Sequence, residues 1–149
     1  MRDEKGKPGV LQEDIEYTTE ARKVLVIDED RQSGERMKFT LALHYNDEVN
    51  FAHDGYLGLE MAQQDPPDII FVNLWVPGLN AFQFYERLKA VPTLQNVHVV
   101  FFGALDLRVA YPKMQRLGAA GYLRQPFSPD DLLDARDAVL RDDMYYSHV

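Results

Sequence analysis

Asp28, Glu29 and Asp30 stand in a row directly after the apolar run Val24-Leu25-Val26-Ile27. Carboxylates crowded at one loop repel one another, and a divalent cation with oxygen ligands is the usual relief. Asp30 is also placed to cap the helix that follows, a purely structural duty. A second apolar run, Ile69-Ile70-Phe71-Val72, closes on Asn73 and is followed by the turn Pro77-Gly78. A side-chain amide offers one acceptor oxygen and two N–H donors but no charge. It is a poor nucleophile, because its nitrogen lone pair is delocalised. His44, His53, His98 and His148 show no motif tying them to a nucleophile. The absence of cysteine removes thiol catalysis, thiolate metal sites and disulfides.

These residues need elements to hold them. Short apolar runs between turn signals, rich in β-branched and aromatic residues, read as strands buried on both faces. Runs of this kind stand at 23–27, 68–73 and 97–102, and shorter strands are read at 48–52 and 120–123, five in all. Helical spacing fills the gaps. Met37, Leu41 and His44 recur over about 31–44, with Asp30 or Ser33 as the cap. Tyr56, Leu59 and Ala62 follow the Asp54-Gly55 turn, and Phe82, Tyr85 and Leu88 share one side of a helix over about 81–91. A fourth helix, 106–117, contains Pro112, which predicts a kink, a short helix or a 3₁₀ stretch, and Gly118 is its stop. Ser128 caps the last helix, which runs to about Arg141. Strands alternating with helices require a parallel sheet, and five such units predict a doubly wound α/β fold of order 2-1-3-4-5. In that order Asp28, Glu29 and Asn73 share one pocket at the carboxyl ends of strands 1 and 3.

At 149 residues the chain holds one domain, over 23–142, with tails at 1–22 and 143–149. Val10, Leu11 and Ile15 give the first tail the means to dock as a short helix. A net charge of −8 and a pI near 4.9 argue against nucleic-acid binding, which needs a basic face. No stretch has the length of a membrane span or the pattern of a signal peptide, which agrees with a cytoplasmic protein.

The order and spacing of several short pieces resemble the receiver domain of response regulators over about 22–142. They are Lys-Val-Leu-Val-Ile-Asp-Glu-Asp at 23–30, Asp54-Gly55, Pro67-Asp68-Ile69-Ile70, Val76-Pro77-Gly78, the segment 117–123 and Gln125-Pro126-Phe127. The resemblance implies the flavodoxin-like (βα)5 fold and a place in two-component, phosphorelay signalling. It also implies a phosphoryl-accepting Asp after strand 3 and Mg²⁺ held by the acids after strand 1. A Thr or Ser after strand 4 and a Lys before a Pro after strand 5 would bind the phosphoryl oxygens. Three of these positions depart from the family pattern. The acceptor position is Asn73, the hydroxyl position is Gly103, followed by Ala104, and the lysine position is Gln125. Ala81 stands where the family usually has Gly. Asp28, Glu29 and the aromatic switch position Tyr122 keep the pattern.

Losing nucleophile, orienting hydroxyl and cation together implies a pseudo-receiver that does not run the phosphorylation reaction and is no enzyme. Mg²⁺ is expected to bind weakly, through Asp28, Glu29 and the carbonyl of Trp75, and no other cofactor is expected. The alternatives are phosphorylation at another carboxylate and a flavodoxin-like small-ligand binder. The acidic loop 28–30 repels the phosphate that the latter would cradle. Protein–protein interaction remains, with a histidine kinase or another signalling protein as partner. A homodimer through helix 4, strand 5 and helix 5 is the second expectation. Arg108, Tyr111, Lys113 and Arg116 on one helix face Asp130, Asp131, Asp134 and Asp137 on the other, a pattern that suits a two-fold contact.

Overall fold

A computed structural model describes residues 21–147. The chain runs β1 (Lys23–Ile27), α1 (Arg31–Tyr45), β2 (Glu48–Ala52), α2 (Gly55–Gln64) and β3 (Ile69–Asn73). It continues through α3 (Ala81–Lys89), a 3₁₀ turn (Pro92–Leu94), β4 (His98–Gly103), α4 (Leu107–Leu117) and β5 (Gly121–Arg124). α5 (Pro129–Leu140) and β6 (Tyr145–Tyr146) complete it. All pairings are parallel, in the order β2-β1-β3-β4-β5-β6.

Alternation along each strand divides the core between the two faces of the sheet. Leu25, Ile27, Ile70, Val72, Val99 and Phe101 point to the side covered by α2, α3 and α4. Val24, Val26, Ile69, Phe71, Val100 and Phe102 point to the side covered by α1 and α5. Each of these buried side chains contributes roughly 1.5–3 kcal/mol by leaving water. This is why the strands read as continuous apolar runs rather than alternating ones.

The helix ends follow their side chains. Asp30 accepts from the N–H of Gln32, and Asp54 from that of Leu57. Asn80 with Gln83, and Ser128 with Asp131, form reciprocal caps on α3 and α5. Gly118 closes α4 with φ of 80°, a left-handed conformation that glycine adopts at little steric cost.

Three expectations are corrected, and a fourth, at Pro112, meets a continuous helix without a 3₁₀ stretch. The sheet has six strands rather than five, because the expected tail at 143–149 contributes β6 beside β5. α4 continues through Pro112 as one α-helix of 11 residues. Both Pro112 and Arg108, four residues before it, are exposed, so water can serve the freed carbonyl. Tyr56 is 56% exposed, and α2 instead buries Gly55, Gly58 and Ala62. α3 ends at Lys89, and the 3₁₀ turn takes up the chain after Val91. The expected N-terminal tail lies outside the described residues apart from Ala21 and Arg22, and with it the docking expected of Val10, Leu11 and Ile15.

Candidate functional site

β1 and β3 are neighbours, so their carboxyl ends bring Asp28 and Asn73 together. Asp28 is 2% exposed. Its Oδ1 accepts the N–H of Asp30 at 3.1 Å and the Asn73 side-chain amide at 3.3 Å. Its Oδ2 is buried without a hydrogen-bond partner. Burial pushes the Asp28 carboxyl up from its ordinary value, against hydrogen bonds from Asp30 and Asn73 that pull it down. Asn73 Oδ1 accepts the backbone N–H of Trp75 at 2.8 Å. Both ends of the amide are therefore engaged. Glu29 is exposed, as is the Trp75 ring, at 68%.

The residues present fit the cation that the resemblance implies only in part: Asp28 Oδ2 is left open, but Asn73 brings no charge. Asn73 presents hydrogens to Asp28 where a ligand would present lone pairs, and it takes up one face of the carboxylate. Among the described residues, no group of three or more His, Asp or Glu stands close enough to hold a metal ion.

The other two substituted positions lie on the next strands. Gly103 ends β4 and is buried. A Cβ added there would lie 3.1 Å from Leu74 Cδ1 and 3.3 Å from Leu74 Cγ, so Leu74 has to give way to any side chain. The Gly103 carbonyl accepts the N–H of Gln125 at 2.6 Å, and Gln125 precedes Pro126 through a cis bond. Gln125 lines an open cleft of about 480 Å³ between α1 and the β5–α5 loop, with Ser33, Arg36, Met37 and Phe127. Asp28 and Asn73 do not line that cleft.

Tyr122 is fully buried and points inward. Its hydroxyl donates to the carbonyls of Gly103 at 3.0 Å and Leu105 at 2.9 Å, tying β5 to the β4–α4 loop. Burial pushes this hydroxyl up to about 12.

The expected interface divides differently. α4 and α5 lie on opposite faces of the sheet, with β5 and β6 at the edge between them. Arg108, Lys113, Arg116, Asp130 and Asp134 are exposed. Tyr111, 40% exposed, lies edge-on to the Tyr146 ring at 4.9 Å between centroids. Asp131 is taken up in the α5 cap. Asp137 accepts from the Tyr45 hydroxyl at 2.6 Å and from Arg136 at 3.1 Å.

That last contact belongs to a network the sequence reading missed. Arg136 is 1% exposed and grips Asp47 through Nε at 2.9 Å and Nη2 at 2.7 Å. Its guanidinium carbon sits 3.9 Å from the centroid of the Tyr45 ring. Asp47 Oδ1 also accepts the N–H of Arg22 at 2.9 Å. Burial alone depresses the Arg136 pKa, but the Asp47 and Asp137 carboxylates outweigh it and hold it above its ordinary value. A signal was available: Arg136 lies four residues after Leu132 and three before Val139, on the inner stripe of α5.

The profile of the response regulator receiver domain matches residues 24–137. The Caulobacter vibrioides response regulator PleD is 34% identical over 114 residues, covering 76% of this chain but 25% of that protein. Pseudomonas aeruginosa protein PilH is 29% identical over 119 residues, covering 79% of this chain and 97% of PilH. Among solved structures, chemotaxis response regulator CheY4 of Vibrio cholerae superposes with a TM-score of 0.75 at 26% identity, over 81% of this chain and 99% of that one. The chain thus spans about a quarter of PleD and half of the Mycobacterium ulcerans response regulator MprA.

Proposed function

The chain belongs to the response regulator receiver domain family, and we propose that it is a pseudo-receiver that signals by binding other proteins without accepting a phosphoryl group. The observation that carries this reading is the engagement of Asn73 at both ends, with Asp28 and with the Trp75 N–H. A carboxylate there would supply an oxygen able to form an acyl phosphate; the amide supplies none. Gly103 brings no hydroxyl, and Gln125 brings hydrogen-bonding capacity without the positive charge that a phosphoryl group needs. Each loss alone leaves part of the machinery in place. Together they remove nucleophile, donor and cation.

The partner is a histidine kinase or another signalling protein. Contact through the charged outer faces of α4 and α5 remains open to it, since Arg108, Lys113, Arg116, Asp130 and Asp134 are exposed. A homodimer through the same region has to accommodate β6, which lies along the β5 edge. Incubation with acetyl phosphate and Mg²⁺, followed by intact-mass measurement, tests the reading, and the expected mass is unchanged.

A further inference from the structure

We propose that the outer edge of β5 is a strand-docking site, filled in cis by Tyr145–Ser147 and open to an extended partner segment with an aromatic residue at the Tyr146 register. An edge strand presents a row of unpaired N–H and C=O groups, a template for another chain. Here the template is used in parallel. The Tyr145 N–H donates to the Ala120 carbonyl at 3.1 Å and the Ser147 N–H to the Tyr122 carbonyl at 3.0 Å. Ser147 Oγ accepts the Arg124 N–H at 2.9 Å. Side chains alternate between two recesses. Tyr146 packs against the cluster under α4 and on the Tyr111 ring, and Tyr145 packs against the cluster under α5. Backbone pairing plus pockets for alternate side chains is the recognition mode of strand addition.

The β5 edge is shaped for this use. A Cβ at Gly121 would stand 2.2 Å from the Tyr145 carbonyl oxygen, so glycine is what admits a paired strand. The resident strand is a modest occupant. It spans two residues, and its linker, Arg141 to Met144, includes Asp142 at a left-handed φ of 66°. The Tyr146 hydroxyl is buried with no hydrogen-bond partner, which opposes docking and favours phenylalanine at that register. Tethering gives the resident strand a high effective concentration, so a partner has to displace it. Occupancy reaches further than the edge, because Tyr122 carries β6 on its backbone and the β4–α4 loop on its hydroxyl. None of these contacts involves Asn73.

The test uses the full chain. Tyr145→Pro with Ser147→Pro removes both backbone donors that hold β6. The probe is a fluorescent peptide of residues 143–149 carrying Tyr146→Phe. It is expected to bind the released variant about tenfold or more tighter than the parent, and Gly121→Val in that variant is expected to abolish binding. Equal binding to parent and released variant, binding that survives Gly121→Val, or no binding to a released variant of parent-like circular dichroism would each overturn the proposal. In the parent itself, excess peptide is expected to speed amide exchange at Tyr145 and Ser147 while β3 and β4 stay protected. Unchanged exchange there overturns it without recourse to the variants. A concentration-dependent dimer abolished by Gly121→Val would assign the edge to a second copy and overturn the assignment of a partner segment.

Discussion

The side-chain amide of Asn73 donates to Asp28 Oδ1 at 3.3 Å, so a neutral donor stands beside a buried carboxylate. Asn73→Asp exchanges that donor for a second negative charge. Close like charges in a partly buried pocket cost on the order of 1 kcal/mol or more. The variant is therefore expected to melt below the parent at neutral pH without metal, and added Mg²⁺ is expected to recover part of the loss. Equal melting temperatures without metal would remove the repulsion argument.

Mg²⁺ is expected to bind the parent weakly, because Asn73 supplies no charge and Asp28 Oδ1 is already accepting two hydrogen bonds. Calorimetry should show no saturation in the sub-millimolar range. A sub-millimolar site that vanishes in Glu29→Gln would contradict this.

Arg136 and Asp47 form a bidentate pair at 2.9 and 2.7 Å, both side chains being buried. Removing Arg136 takes its bidentate partner from the buried Asp47 carboxylate, so Arg136→Ala is expected to cost about 3–5 kcal/mol in urea unfolding. Replacing both with leucine is expected to cost less than the two single changes summed. A loss in Arg136→Ala below about 1 kcal/mol would mean that the pair is solvated in solution.

The order of the first five strands was legible because β1, β3 and β4 are nearly unbroken apolar runs and all five strands alternate with helical patterns. The acidic pair and the Asn73 position followed from that order. β6 was not legible: Tyr145-Tyr146 is too short to make a run, and its docking depends on Gly121 lacking a Cβ at a distant point in the chain. Arg136 was missed for a different reason. An arginine among the aspartates of α5 looks like a solvated face until its register with Leu132 and Val139 is counted. Pro112 shows the limit of a local rule, since its cost depends on whether the carbonyl it frees meets water.

Tyr122 contributes to the alkaline limb of stability, as do the other tyrosines whose pKa burial raises. Its hydroxyl, ordinarily near 10, is pushed up to about 12 by burial, and only the protonated form donates to Gly103 and Leu105. A folded-state value above the unfolded one means that this contribution is fully present below about pH 10 and is lost as pH rises through about 12. Tyr122→Phe leaves the Leu105 carbonyl without its donor, while Gly103 keeps the Gln125 N–H, and is expected to cost about 1–3 kcal/mol at neutral pH. Its stability should also decline less steeply than the parent's across that alkaline window. Parallel declines in denaturant titrations would assign the loss to another tyrosine.

The central claim is that three substitutions, and not Asn73 alone, remove phosphoryl acceptance. Exposing the parent and Asn73→Asp side by side to acetyl phosphate with Mg²⁺ and weighing both intact tests it most directly. Neither is expected to gain a phosphoryl group, because Gly103 and Gln125 leave the phosphoryl oxygens unsupported in both. A gain in the parent that hydroxylamine removes would reveal another acceptor carboxylate. Brisk labelling of Asn73→Asp would show that Asn73 was the whole block.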